Sequence, residues 1–259
     1  KDRIYRVLTE SHHADEATIS YRKNVPFPMP AGLKSAFPQL EQVAPVYASH
    51  NDELQVLDGN GTPVKKFKEQ SGVFYTSPSF FNMFNFPLLA GSYESLKDPN
   101  NVLLTKEIAE KYFGLDPDNY REAIGKTIKI TGYYSMGAGL FQFPANALKV
   151  SGILATIPAN TDFQLKLVVA WGTDFTGDKQ YGFAQPQWNT SAPDFGCYVM
   201  LPPNISADNF NQQLSAFAQK MATADNKDNY ILQPLNAVHY DAEAGNYSNK
   251  TISHELINV

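Results

Sequence analysis

Residues 72–132 read GVFYTSPSFFNMFNFPLLAGSYESLKDPNNVLLTKEIAEKYFGLDPDNYREAIGKTIKITG. Val73–Tyr75 predicts a strand. Ser77 occupies an N-cap position with Pro78 in the first helical turn. Phe80, Phe81, Met83 and Phe84 then crowd one short helix, and Leu88–Gly91 turns the chain. An acidic loop leads to a short apolar strand, Val102–Leu104. Thr105 opens a helix that runs to Phe113, with Gly114 as its C′ residue. Ile108, Ala109, Tyr112 and Phe113 fall on one face of that helix. Gly125 turns the chain into a strand ending at Thr131. No acid, base, nucleophile or metal-binding cluster is concentrated in this stretch, so its information lies in how it packs and turns.

Working toward the N-terminus, Leu54–Leu57 and Pro63–Lys68 flank Asp58–Gly61. Asp-Gly and Asn-Gly supply the positive φ angles of a tight hairpin turn. Residues 40–49, 16–22 and 4–8 read as strands, and residues 31–37 as a short helix. Val25–Pro30 is a proline-rich connector unsuited to a helix interior. Toward the C-terminus, residues 132–144 form the loop of a hairpin whose return strand is 148–156. Residues 163–171 and 196–201 are further strands. Ser206 caps a helix on which Phe210, Leu214, Phe217 and Met221 repeat at amphipathic spacing. Residues 230–235 form a last strand. Short strands outnumber helices and alternate with them, so the class is α+β.

The chain has 259 residues, 43% hydrophobic and 18% charged, which is globular composition. Net charge is −5 and there is no basic run, which excludes a nucleic-acid footprint. The single cysteine, Cys197, rules out an internal disulfide and a cysteine zinc site. Its strand setting reads as a small buried thiol. No run reaches the roughly 18 apolar residues of a membrane span. The abrupt start at Lys1 reads as a piece cut from a longer protein.

The order of elements in 72–132 resembles the periplasmic core domain of MacB-type ABC-transporter permeases, the group that includes FtsX-like and lipoprotein-releasing permeases. Later segments match in the same order: Val150–Leu154 (VSGIL) with Ile157 and Pro158, Cys197–Leu201 (CYVML), the helix at 206–221, and Leu232–Leu235 (LQPL) with His239. The match covers most of the chain, residues 10–30 and 172–190 excepted. It implies an α+β fold in which a discontinuous porter-like subdomain, 1–71 with 171–259, carries a strand-rich, sabre-like insertion, 72–170. It also implies a non-catalytic domain without cofactors on the periplasmic side of the inner membrane, held between two membrane helices. The implied partners are a cytoplasmic ABC ATPase, a second permease copy or domain, and a periplasmic adaptor or substrate protein. The domain would relay ATPase-driven motion to one of these.

Other motifs carry less. Ile124–Thr127 mimics the end of a phosphate loop, but position 120 is Tyr where the motif needs Gly, and a strand follows instead of a helix. His12 and His13 with Asp15 and Glu16 lack helical metal-ligand spacing. Adjacent acids such as Asp52 and Glu53 point to opposite faces of a strand, a poor geometry for acid–base work. No Gly-x-Ser-x-Gly elbow exists. The cluster Phe80, Phe81, Phe84 and Phe86 reads as core. The long segment after residue 170 is richer in possibility. Trp171, Phe175, Tyr181, Phe183 and Trp188 form an aromatic loop suited to contact a partner or substrate. It also supports an alternative, a secreted module that binds a ligand or peptide through these rings.

Overall fold

The computed structural model describes residues 2–12, 18–136, 139–142, 145–173, 187–223 and 227–248. The chain forms two compact units, residues 1–46 with 183–259 and residues 47–182. The first unit begins with β1 (Ile4–His12), β2 (Ile19–Arg22) and α1 (Met29–Ala36), and the chain leaves it within β3 (Gln42–Ser49). The second unit contains β4 (Asp52–Leu57), β5 (Pro63–Glu69), β6 (Val73–Thr76), α2 (Pro78–Met83), β7 (Leu88–Gly91), β8 (Asn101–Thr105), α3 (Lys106–Phe113) and β9 (Thr127–Thr131). It continues with β10 (Tyr133–Met136), β11 (Gly139–Gln142), β12 (Asn146–Leu154) and β13 (Leu167–Ala170). Back in the first unit come β14 (Phe195–Met200), α4 (Ala207–Met221) and β15 (Asn229–Pro234). Helices and mostly antiparallel strands mix without a repeating βαβ unit, so the fold is α+β, as expected.

In the first unit β1 is central. β15 pairs along one side of it, Tyr5 opposite Pro234, and β14 and then β2 pair along the other, Ile4 opposite Met200 and Thr9 opposite Arg22, all antiparallel. Helix α4 lies against β15. The Ser206 hydroxyl accepts from the Asn209 N–H at 3.3 Å and caps α4, as its position predicts. Phe210, Leu214 and Phe217 are buried along α4, and Phe37 packs its ring on Phe210 and Phe217 at 4.9 and 5.6 Å.

In the second unit the strand order is β6-β13-β8-β12-β9-β4-β5. β13 is parallel to β6 and antiparallel to β8, and β12 is parallel to β8. Every residue of β6 and β13 is buried, the continuous apolar run that a strand covered on both faces requires. The Phe cluster is core here: Phe80 is buried, with Phe81 and Phe86 nearly so. Phe163 joins it from far along the chain, 4.9 Å from the Phe80 ring and edge-on. Gly114 has φ +64 and ends α3 in the left-handed conformation, as predicted.

Three local features depart from the sequence reading. Leu88–Gly91 is a strand: β9 leaves β12 at Lys149, and β7 takes up the same side from Gly152. The 132–144 loop contains its own ladder, β10 with β11, Tyr133 opposite Gln142. Ser77 holds the N-cap position but its side chain makes no capping bond.

Candidate functional site

The aromatic segment is anchored at both ends. At its start, the Trp171 N–H donates to the Thr76 carbonyl at 2.9 Å. Buried Thr173 accepts from the Asn100 N–H through its hydroxyl, also at 2.9 Å. At its far end the Trp188 ring meets Phe217 edge-on at 5.4 Å and lies over Gly32. A Cβ on Gly32 would come within 2.9 Å of the Trp188 ring, so the missing side chain in α1 makes the seat for this indole. Beyond it, Phe27 N–H donates to Thr190 O at 3.1 Å, and Lys23 pairs with Asp194 at 2.9 Å. Trp171 belongs to the second unit and Trp188 to the first. Phe175, Tyr181 and Phe183 lie outside the described residues.

A second constellation, which the sequence reading missed, ties the last described residues to the first strand. Arg6 in β1 is fully buried. Its Nε and Nη2 donate to Gln233 Oε1 at 2.9 and 2.5 Å, and its Nη1 donates to Gly245 O at 2.6 Å. Gln233 Nε2 in turn donates to Asp241 Oδ2 at 2.5 Å. Asp241 Oδ1 accepts from the backbone N–H groups of Glu243 and Ala244. The Arg6 charge is thus balanced by a carboxylate one amide away. Lys23 Nζ donates to Asn246 O at 3.1 Å. The Tyr247 hydroxyl sits so close over Gly196 that a Cβ there would lie 2.5 Å from it, and burial raises that phenol's pKa. Because Tyr5 faces Pro234, β1 begins and β15 ends at the same end of the sheet.

The third constellation is a pair of buried carboxylates. In the β4–β5 ladder Asp52 stands opposite Glu69. Asp52 is fully buried; Ser49 Oγ donates to its Oδ1 at 2.8 Å, and its Oδ2 has no hydrogen-bond partner among the described residues. Burial pushes its carboxyl up to about 6, against the opposing pull of the Ser49 bond and the His50 charge. For Glu69, burial alone would act the same way. Bonds from Lys166 at 2.6 Å, and from Lys111 and the Tyr112 hydroxyl at 3.0 Å, outweigh it and hold the carboxyl below its usual range.

Two carboxyl groups driven apart in this way are the raw material of acid–base catalysis. At 0% and 3% exposure, however, neither can touch a substrate. Their role is in the fold, and it has a sign. The folded value of Asp52 lies above its unfolded value, so its contribution to stability is present below about pH 4 and lost as pH rises through about 6. Asp52→Asn, which keeps the acceptor for Ser49, should therefore stabilise the protein by up to about 3 kcal/mol at pH 8 and by almost nothing near pH 4. Urea unfolding at the two pH values checks this; equal gains at both would show that Asp52 does not titrate in this way.

No group of His, Cys, Asp and Glu among the described residues could hold a metal. The Cys197 thiol is buried and pushed up to about 12, which leaves no thiolate for nucleophilic work. One open cleft of about 580 Å³ in the second unit is lined by Val56, Leu57, Val64, Lys65, Phe113 and Lys126, among others. Another of about 420 Å³ runs along α4, lined by residues that include Asn204, Asn209 and Gln213. Neither is lined by Trp171 or Trp188.

The model of the MacB-like periplasmic core domain family matches residues 1–217. A crystal structure of a domain of a protein named as a permease, from Porphyromonas gingivalis, has a TM-score of 0.64 to this chain at 19% identity and covers 91% of each. At that identity the likeness is one of fold. No curated protein matches the chain. No helix among the described residues is long and apolar enough to cross a membrane. The class defined here is that of extracytoplasmic domains of ABC-transporter permeases, which are not catalytic domains. Within that class, the chain belongs to the MacB-like periplasmic core domain family.

Proposed function

We propose that this chain relays motion from membrane helices to a substrate or partner on the far side of the inner membrane. The observation that carries the proposal is the Arg6 network. The start of β1 and the end of β15 lie at one end of one sheet, and a part-buried hydrogen bond from the buried Arg6 to Gly245 O joins the following segment back to β1. A displacement of either chain end would therefore move the sheet of the first unit as a body, a rigid-element transmission of the kind used in switching proteins.

A cytoplasmic ABC ATPase supplies the energy in this reading. A second permease copy or domain is the element moved against, and a periplasmic adaptor or substrate protein receives the motion. The porter-like part is built from both chain ends, 1–71 with 171–259, and the sabre-like part from the middle, 72–170. The existence of one unit made from both ends of the chain and one from its middle supports this assignment. The aromatic segment with Trp171, Phe175, Tyr181, Phe183 and Trp188 is the proposed contact surface. Its described ends are each held by their own unit, Thr173 by the second and Trp188 by the first.

The parent protein should carry apolar helices of roughly 20 residues on both sides of this chain. Spin labels at exposed Lys97 and Lys220 report on the two units. In the full permease with its ATPase in liposomes, their distance distribution should shift between the nucleotide-free and ATP-bound states. Identical distributions, or a parent without flanking helices, would overturn the relay.

A further inference from the structure

Among the described residues, the strand order of the second unit ends in β5. β5 pairs with no other described strand along its outer edge. It reads PVKKFKE, and all of it except Phe67 and Glu69 is exposed. Val64 is 57% exposed. Alternation places Lys66 and Lys68 on one face and Lys65, Phe67 and Glu69 on the other; Val64 sits at the bulge where the ladder skips from Lys65 to Pro63 and, with Lys65, lines the adjoining cleft. The second face is occupied: Phe67 stacks on Tyr112 at 4.3 Å, and Glu69 is buried under Lys111 and Lys166. The first face is open. The ladder sets Lys66 beside Gln55 and Gln55 beside Lys129, so positive charge extends inward from the edge. Glu53 lies on the same face, opposite Lys68 in the ladder and 4.0 Å from Lys66, and offsets part of this charge. The whole chain carries −5, which makes this edge a local reversal of sign.

Lysines on an edge strand ordinarily guard against pairing with a like strand. A second copy of β5 would bring lysine against lysine, so the guard works here. It does not repel an acidic strand. The guard also leaves unexplained the exposed Val64 at the bulge and the adjoining cleft of about 580 Å³, which Val64 and Lys65 line together with Phe113 and Lys126. We propose that the free edge of β5 binds an extended acidic segment of a partner protein as an added strand. Carboxylates at alternate positions lie beside Lys66 and Lys68, and a β-branched residue lies beside Val64. Backbone bonds supply the pairing, and the alternate side chains supply the choice. This inference goes beyond the relay and does not depend on it.

The probe is a capped peptide of about eight residues alternating Glu with Val and Thr, titrated into the ¹⁵N-labelled protein. Amide shifts should concentrate at residues 64–69, and affinity should fall with added salt. Affinity should also fall at least about tenfold for the variant K66E/K68E. Both side chains are exposed, so this variant should still fold, with a melting point lowered only slightly by the new repulsion from Glu53. A peptide with Lys in place of Glu should reverse the preference. N-methylation of alternate peptide amides should abolish binding. No shifts at β5, equal affinity for K66E/K68E, or undiminished binding of the N-methylated peptide would each overturn the proposal.

Discussion

Replacing Gln233 with leucine should lower stability by about 3–5 kcal/mol, the scale of a buried charge left without its partner. Gln233 Oε1 is the acceptor for two of the Arg6 nitrogens, and its Nε2 is the link to Asp241. Leucine fills similar space but leaves the guanidinium facing hydrocarbon, with only Gly245 O still bonded. Asp241 loses its link to Arg6 at the same time. Urea unfolding would give the loss as a lower midpoint with unchanged slope. The double variant Arg6→Met, Gln233→Leu should lose less than the sum of its single changes, because removing both members of a polar pair avoids the orphaned group. A loss under 1 kcal/mol for Gln233→Leu alone would show that the network does not hold residues 241–247 in place.

Gly91→Ala should be comparably damaging, roughly 2–5 kcal/mol, for a different reason. Gly91 has φ +86, and a Cβ there would lie 2.3 Å from Ser151 O and 2.5 Å from Gly152 Cα. Both obstacles are backbone, so no side chain can rotate away. Left-handed strain contributes about 1–2 kcal/mol, and forcing β7 off β12 contributes about 1–3 more. Gly61 is the internal control. Its φ is +80, but nothing lies within 4 Å of the added atom, so Gly61→Ala should lose only about 1 kcal/mol. If the two changes proved equal in thermal melts, the close approach of β7 to β12 would not matter.

The same pair of glycines shows where the sequence was readable. Gly61 sits in the Asp58–Gly61 turn, which the local Asp-Gly and Asn-Gly signals identify, and the hairpin forms there. Gly91 follows Leu-Leu-Ala and looks like another turn. What makes it a strand is a vacancy along β12 that β9 leaves and β7 fills, and no window around residue 91 contains that information. Capping positions were legible as positions, yet only Ser206 makes its bond, while Ser77 and Thr105 do not.

The buried polar groups divide in the same way. The hairpin register places Asp52 opposite Glu69 once the turn is known. Glu69 is held by Tyr112, Lys111 and Lys166, which arrive from elsewhere in the chain. Arg6 reads as a polar interruption in an apolar strand. Only its partner at position 233, 227 residues away, explains it. The family resemblance was legible because it rests on the order of local elements, which short-range signals preserve. For the aromatic segment, Trp171 and Trp188 are accounted for as anchors, and the rings between them lie outside the described residues.

The central place of β1 has a consequence for how the chain is made. β1 is synthesised before the second unit, yet β14 and β15, which flank it, are synthesised after that unit. The second unit is contiguous, residues 47–182, and can close as soon as it emerges. The first cannot, because its ladder joins residues more than 200 positions apart, as Arg6 and Gln233 are. Long-range pairing of this kind is slow and leaves an unpaired strand waiting. β1 therefore stays without β14 and β15 until they have been made. The interval in which the nascent chain is vulnerable to mispairing is set by synthesis of everything in between.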